Sequence, residues 1–318
     1  MTVATCVALY SLAVAVLAPR LLLRVTRSGA APRLGVTVWL AAIGSVVVAW
    51  IAAAGFLAAE FVRSLTEPVP IVSACVATLR AVATGESGLA LQLGLLMLTG
   101  LAALALGVLA WRWGSALLRA RRRTHGHAEM ARVLGRHVPG LDAVVIDTSD
   151  RLAYCAAGRP HTIVVSTATL DALDGPHLDA VLAHERAHLA GRHHLLLAAT
   201  RGLATVMPRV MLFTAGSAEI ARLLEMCADD AATRRHDRNT LLGALLALTG
   251  AVTLPSAALG AAGVGVVDRV ERLADPPPSG RCARTRLMLT AVLALLLTGP
   301  VLTGMLAAND VAVCYPGA

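Results

Sequence analysis

Long apolar stretches separated by clusters of arginine dominate the hydrophobic pattern of this chain. Four of them reach the length of about 20 residues that an α-helix needs to cross a bilayer. They cover residues 3–23, 36–58, 88–111 and 287–307. Because no basic segment precedes the first stretch and it continues through Leu23, we interpret it as a retained span and not as a cleaved signal peptide. The pattern predicts a mainly α-helical membrane protein with four transmembrane helices.

Two further apolar stretches, residues 195–213 and 240–267, are interrupted by proline or arginine. Arginines flank the second stretch at both ends, so one crossing would leave one of these clusters on the wrong side of the membrane. Buried, re-entrant or interfacial helices are therefore favoured over additional spans.

The arginine clusters also predict an orientation, because they follow the first and third spans and precede the fourth. With four spans, all three clusters fall on one side, which the positive-inside rule assigns to the cytoplasm. This predicts an N-terminal membrane domain (1–111), a cytoplasmic domain (112–286), and a C-terminal helix with a short tail (287–318). Both termini and the loop 59–87 are then expected outside the cell.

Composition supports a chain that is largely surrounded by lipid. Hydrophobic residues make up 57% and charged residues 15%, and the mean hydropathy is +0.69, whereas an ordinary soluble domain has about 25% charged residues. The net charge of +8 is carried by arginine without lysine. Since aromatic residues amount to only 3%, the stacking platforms of nucleic-acid-binding proteins are missing. We attribute the charge to membrane anchoring and expect no direct nucleic-acid partner.

The six cysteines divide between the two predicted sides. Cys75 and Cys314 are predicted to lie outside the cell, where a disulfide between them is permitted. Unpaired cysteines acting as small apolar residues explain the sequence equally well.

The strongest chemical signal is an H-E-x-x-H motif formed by His184, Glu185 and His188. Residues four apart share one face of a helix, so both imidazoles can bind one metal ion, zinc in most such motifs. Capping and terminating residues favour a helix here, namely Asp174 or Gly175, Pro176 and Gly191.

A catalytic zinc ion usually has three protein ligands and an open position for water. Glu225 is the best third candidate because Asp229 lies four residues further on, where it can hold a histidine N–H from the same helix face. The competing candidates fit worse by spacing or direction; they are Glu219, His193, His194 and Cys227.

The segments 184–188 and 225–229 together resemble the membrane-bound zinc endopeptidases of the BlaR/MecR antirepressor family. That family is related to the heat-shock membrane proteases and the prenyl-protein endopeptidases. Residues 153–166 are similar to the strand pair that precedes the zinc helix there, and the resemblance extends over residues 140–275. It implies a cytoplasmic, gluzincin-like zinc metalloprotease domain with a small β-sheet.

The resemblance also implies roles for individual residues. His184, His188 and Glu225 bind one zinc ion per chain, Glu185 is the general base, and Asp229 supports the site. Only about ten residues follow the fourth span, so the β-lactam sensing of the antibiotic receptors is not expected.

Three features are left open by the sequence. The oxyanion of the reaction needs a partner, for which His236, Arg269 and Arg272 are candidates. The strand-like run Thr162–Ser166 is either a sheet edge that pairs with substrate or a core strand. The H-x-H pair His125 and His127 can bind metal on a strand, but a solvated turn is favoured.

The predicted function is regulated proteolysis of a cytoplasmic or membrane-associated protein, such as a transcriptional repressor. The expected partners are a protein or peptide substrate and the lipid bilayer. Alternatives are a membrane-protein quality-control protease and a non-catalytic signalling receptor stabilised by zinc. A transporter is disfavoured because the four spans contain no acidic residue.

Overall fold

The computed structural model describes residues 3–66, 87–156, 158, 160–249 and 261–313. The predicted Cys75–Cys314 pair and most of the predicted outer loop lie outside the described residues. Within them the chain is mostly helical with a small mixed sheet, as predicted. The helices are α1 (Val3–Thr26), α2 (Pro32–Thr66), α3 (Ser87–Leu134), α4 (Thr167–Ala172), α5 (Gly175–Ala190), α6 (His193–Val206), α7 (Met211–Ala232), α8 (Arg238–Thr249), α9 (Ala261–Ala274) and α10 (Ser279–Val313). The strands are β1 (Arg136–His137), β2 (Val144–Ile146), β3 (Ala153–Ala156) and β4 (Thr162–Ser166).

Four helices are long and apolar enough to cross a bilayer, and they coincide with the four predicted spans. Their apolar parts are Cys6–Thr26, Pro32–Ala59, Leu96–Leu134 and Ser279–Leu302. On α3, large apolar side chains such as Leu101 and Leu104 are exposed, as expected for a surface that faces lipid. These helices indicate membrane association.

The two interrupted stretches form short helices. The first gives α6, which has 14 residues and packs against α7. The second contains α8, with 12 residues, and part of α9; the segment 250–260 between them lies outside the described residues. In the part of the chain that the structure describes, neither stretch forms a helix that qualifies as a span.

The chain divides into two compact units. One consists of residues 1–18, 41–112 and 293–318, and within it the Tyr10 hydroxyl donates a hydrogen bond of 3.2 Å to the Leu296 carbonyl. The other consists of residues 19–40 and 113–292 and contains the H-E-x-x-H motif. The second unit thus includes the segment around the α1–α2 turn, which the sequence-based boundaries placed in the N-terminal membrane domain.

Buried polar contacts hold the α1–α2 turn within the second unit. Thr26 Oγ1 donates to Glu219 Oε1 at 2.6 Å, and Arg222 Nη2 donates to the Thr26 carbonyl at 2.9 Å. Arg272 Nε donates to the carbonyl of Gly29 at 3.0 Å. Glu219, which competed with Glu225 as a predicted metal ligand, therefore has a structural role in this network.

The strands form one sheet within the described residues, in the order β1-β2-β4-β3. β2 and β4 are parallel, whereas the β1–β2 and β3–β4 pairs are antiparallel, with Tyr154 opposite Val164. All five residues of β4 are buried. Of the two positions considered for Thr162–Ser166, the core strand is confirmed and the edge role is wrong: a run that is apolar on both faces occupies an inner position, while β1 and β3 are the edge strands.

Helix α5 lies at the centre of the second unit. Ala180 and Ala183 pack against Leu241, Leu245 and Leu273 of α8 and α9, while Leu182 on the other side contacts the sheet residues Ile163 and Val165. This packing fixes the helix that carries the H-E-x-x-H motif.

The H-x-H pair lies in neither of the predicted settings. His125 and His127 are part of α3, not of a strand or turn. His127 Nε2 is 3.0 Å from the Tyr154 hydroxyl oxygen, so this histidine contacts the edge strand. The predicted turn does not form because α3 continues beyond its apolar part and through the arginine cluster.

Candidate metal centre

Helix α5 begins and ends where the sequence predicts. The Asp174 side chain caps its N-terminus by accepting a hydrogen bond of 3.0 Å from the His177 N–H. Pro176 lies in the first turn, where its missing N–H costs nothing, and Gly191 is the C-cap. Such a cap stabilises a helix by about 1 kcal/mol, and it fixes the register of the two motif histidines.

The two motif histidines and Glu225 converge on one point. His184 Nε2 and His188 Nε2 are 3.1 Å apart. Glu225 Oε2 lies 3.5 Å from His184 Nε2, and Glu225 Oε1 lies 3.5 Å from His188 Nε2. Glu225 reaches this position because α7 packs along α5. Among the described residues, this is the group of histidine, cysteine and acidic side chains arranged to hold a metal ion.

The ligand atoms fit a tetrahedral ion. Ligands at the usual zinc distances of 2.0–2.1 Å occupy corners of a tetrahedron that are about 3.3 Å apart. The separations of 3.1 Å and 3.5 Å bracket that value. Two imidazoles and one carboxylate are also the donor set of a known class of catalytic zinc site. The residues present therefore fit zinc.

Asp229 and Arg269 contact the side chains of the candidate ligands. Asp229 Oδ1 lies 3.0 Å from His184 Nδ1. Arg269 donates two hydrogen bonds to the Asp229 carboxylate, at 2.8 Å and 2.7 Å, and its Nη1 is 3.2 Å from Glu225 Oε2. The position of Asp229 beside a ligand histidine is the one expected from its spacing to Glu225.

The three candidates for oxyanion stabilisation differ in position. Arg269 lies in the cavity wall, but its guanidinium is engaged by the two carboxylates. Arg272 pairs with Asp230 at 2.7 Å and with the Gly29 carbonyl. His236 and Arg272 are not among the described residues that line the cavity. The structure therefore brings one of the three candidates to the site.

Buried charges around the ligands shift their protonation. Burial disfavours the imidazolium form of His184, but the neighbouring Asp229 and Glu225 carboxylates outweigh it and raise the pKa of His184 to about 9. Burial acts to raise the pKa of Glu225, whereas the two histidines and Arg269 hold it well below its usual value. Because a metal ion binds neutral imidazole, metal binding competes with protonation of His184.

A cavity of about 390 Å³ opens in front of the ligands. Glu185, which is 9% exposed, lines it together with the edge strand residues Ala153, Tyr154 and Cys155. Burial raises the pKa of Glu185, although the nearby His184 and His188 act in the opposite direction. A raised pKa makes the Glu185 carboxylate a better proton acceptor near neutral pH.

Cys155 is one site residue that the sequence reasoning missed. Burial, together with the negative charge of the nearby Glu185 carboxylate, raises the pKa of Cys155 to about 12. The sequence pattern predicted a strand at Cys155, before the helix that carries the H-E-x-x-H motif. It did not predict that this strand packs beside Glu185.

His193 is the second residue that was missed, since it was considered only as a metal ligand. It is 8% exposed, and its Nδ1 lies 2.8 Å from His188 Nδ1. It is not part of the convergent ligand group. The signal in the sequence is the glycine at position 191, which leaves room for the His193 ring.

A comparison with protein families matches residues 118–276 to peptidase family M48. No curated protein and no solved structure matches the chain. The match covers half of the 318 residues and includes every residue of the candidate metal centre. The chain therefore belongs to peptidase family M48, a family of metallopeptidases.

Proposed function

We propose that this protein is an integral membrane zinc endopeptidase of the BlaR/MecR type. It carries out regulated proteolysis of a cytoplasmic or membrane-associated protein, such as a repressor. One observation carries the proposal: His184, His188 and Glu225 converge at the base of a cavity that Glu185 also lines. Family membership supports the peptidase activity.

The orientation is part of the proposal. The arginine clusters beside the apolar helices support a cytoplasmic peptidase domain, with both termini outside. In this arrangement the substrate is a protein that is reachable at the inner face of the membrane. A repressor in the cytoplasm can reach the peptidase domain at this face of the membrane.

The chain's own residues have defined tasks in the reaction. His184, His188 and Glu225 hold the ion, which, when bound, supplies Lewis acidity for the attacking water and the scissile carbonyl. Glu185 accepts a proton from that water and later transfers it to the nitrogen of the leaving amine. Cys155 lies beside Glu185 in the cavity wall and keeps its thiol protonated there.

Among the described strands, none pairs with the outer edge of β3, and this edge supplies a place for the substrate backbone. Both the N–H and the C=O of Leu152 bond to Ser166, so Leu152 faces the neighbouring strand. Orientation alternates along an antiparallel strand; Ala153 and Cys155 therefore direct their backbone groups to the open edge. An extended peptide that pairs with this edge lies beside Glu185.

The test compares wild type with Glu185→Gln in whole membranes and cytosol. Protein fragments that appear only with wild type are expected, because the variant keeps the metal ligands and loses the proton acceptor. The purified wild type and Glu185→Gln proteins should each hold one zinc ion, whereas His184→Ala should hold none. Identical fragment patterns for wild type and Glu185→Gln would contradict the proposed enzymatic function.

The same comparison separates the alternatives. A regulatory protease gives one or a few defined fragments, whereas a quality-control protease gives fragments from many misfolded membrane proteins. A receptor that uses zinc only for structure retains its cellular function in Glu185→Gln.

A further inference from the structure

We propose that His193 is a positioning residue that holds His188 in the tautomer required for metal binding. The inference rests on the metal centre of the proposed function. His193 Nδ1 is 2.8 Å from His188 Nδ1, and both side chains are buried. The two rings are perpendicular, with an interplanar angle of 89° and centroids 4.8 Å apart. The contact thus joins two ring nitrogens of which one must donate and the other accept.

The direction of this hydrogen bond follows from the ligand geometry. His188 Nε2 faces His184 Nε2 and Glu225, so its lone pair has to remain free for the metal ion. The proton of the neutral His188 ring must then be on Nδ1. His188 Nδ1–H therefore donates to His193 Nδ1, and His193 carries its own proton on Nε2. The reverse direction would place the His188 proton on the metal-facing nitrogen.

The turn between α5 and α6 is shaped to make this contact. Arg192 has φ 50° and ψ 36°, and among the described residues no other non-glycine residue has a positive φ. Such a left-handed conformation is unfavourable for a residue with a side chain. This turn brings His193 back onto the last turn of α5, over the ligand histidine.

Gly191 is required because the His193 ring lies close to its backbone. A Cβ atom at position 191 would lie 2.6 Å from His193 Cδ2 and would overlap the His193 Nε2 atom. The backbone of Gly191 itself is ordinary, with φ −76° and ψ −5°. The glycine is thus needed for the position of the His193 ring and not for its own conformation.

The two ligand histidines are supported by different chemistry. His184 faces a carboxylate, Asp229, which is itself paired with Arg269. His188 faces an imidazole, which accepts a hydrogen bond without adding another negative charge beside Glu185 and Glu225. Partners of this kind fix the orientation of a ligand ring, and their loss typically weakens metal binding by about 10–100-fold.

The first experiment measures zinc affinity by chelator competition on the purified full-length protein in detergent. His193→Phe keeps the ring volume and removes the acceptor, so we expect about 10–100-fold weaker zinc binding. His193→Asn retains an acceptor near the Nδ1 position and should restore most of the affinity.

The control is His194→Phe, because His194 lines the same cavity and its buried Nδ1 has no hydrogen-bond partner in the described structure. The visible spectrum of the cobalt-loaded protein should change in His193→Phe and not in His194→Phe.

A pair of glycine variants tests the same contact without removing any polar group. Gly191→Ala displaces the His193 ring and should weaken zinc binding in the same direction as His193→Phe. Gly175→Ala is the matched control at the other end of α5, since a Cβ there meets nothing within 4 Å. If His193→Phe does not fold, Gly191→Ala and His193→Asn carry the test.

The outcomes separate this inference from the proposed function. Wild type that binds no zinc would overturn the proposed function, and the role of His193 with it. Wild type that binds zinc, with His193→Phe and Gly191→Ala binding it equally tightly, would overturn the role of His193 alone. Weaker binding and an altered cobalt spectrum in both variants support it.

Discussion

Arg269 and Asp229 form a two-point ion pair, in which Nε donates to Oδ2 at 2.8 Å and Nη2 donates to Oδ1 at 2.7 Å. Asp229 is 1% exposed, so its charge depends on partners within the protein. The same carboxylate faces a ligand histidine, and the same guanidinium contacts a ligand carboxylate. One ion pair therefore orients ligands from both helices, α5 and α7.

Removing Arg269 should destabilise the peptidase unit. In Arg269→Met the Asp229 carboxylate stays buried without its main partner, and breaking a buried pair in this way costs about 3–5 kcal/mol. We expect a clearly lower melting temperature for the purified protein, measured by tryptophan fluorescence. The double variant Arg269→Met, Asp229→Asn removes the unpaired charge and should recover part of the loss. A single variant that melts like wild type would contradict this account.

Removing the charge of Asp229 should weaken metal binding. Asp229→Asn keeps the shape of the side chain but loses the negative charge beside His184, so zinc affinity should fall by about tenfold or more. Asp230→Asn is the matched control, because Asp230 is the next residue of α7 and pairs with Arg272. Chelator competition measures both, and equal affinities for the two variants would argue against support of His184 by Asp229.

The Cys155 thiol should react slowly with alkylating reagents. Its pKa of about 12 leaves only about one thiol in 10⁴ ionised at pH 8, and the thiolate is the reactive form. The alkylation rate should keep rising above pH 9, where an ordinary thiol has nearly reached its plateau. Glu185→Gln removes a cause that raises the pKa and should therefore speed the reaction.

Timed labelling followed by mass spectrometry measures this reactivity. Cys282 is also partly buried and serves as the comparison thiol in the same sample. If Cys155 is labelled at pH 8 as fast as an unfolded cysteine, the contact with Glu185 does not exist as described.

Local spacing was enough to predict the helix and its two histidines, because the α-helical period places residues 184 and 188 on one face. The convergence of Glu225 with these histidines was predictable as well, since a pair of acidic residues four apart on α7 marks both the candidate ligand and its neighbour. The roles of His193 and Cys155 were not predictable in this way. One depends on a left-handed backbone at Arg192, and the other on which strand forms the sheet edge. Both are decided by tertiary packing.

The positions of β3 and β4 in the sheet also depend on tertiary packing. The β-branched run in β4 predicts a strand, and its apolar character on both faces is typical of an inner position. Its neighbour β3 is short and less apolar, and only the pairing order shows that its outer edge is free. The sequence therefore left open whether β4 is a sheet edge or a core strand, and the structure shows that it is an inner strand.

Proline scanning of β3 should separate substrate pairing from sheet stability. In Ala153→Pro the chain loses an N–H that faces the open edge, so the pairing with β4 remains. We expect kcat/KM for a peptide taken from an identified cleavage site to fall at least about tenfold, since a backbone hydrogen bond to the substrate is lost. Zinc content and melting temperature should stay near the wild-type values.

Two controls make the result specific. Ala153→Gly retains the outward N–H and should keep most of the activity, whereas Val164→Pro breaks the inner strand and should lower the melting temperature. If Ala153→Pro cleaves the peptide as efficiently as Ala153→Gly, the substrate does not pair with β3 at this position. Among the described strands, β3 borders both the cavity and an outer sheet edge, so pairing at this edge would direct an extended peptide across Glu185 and toward the candidate metal ligands.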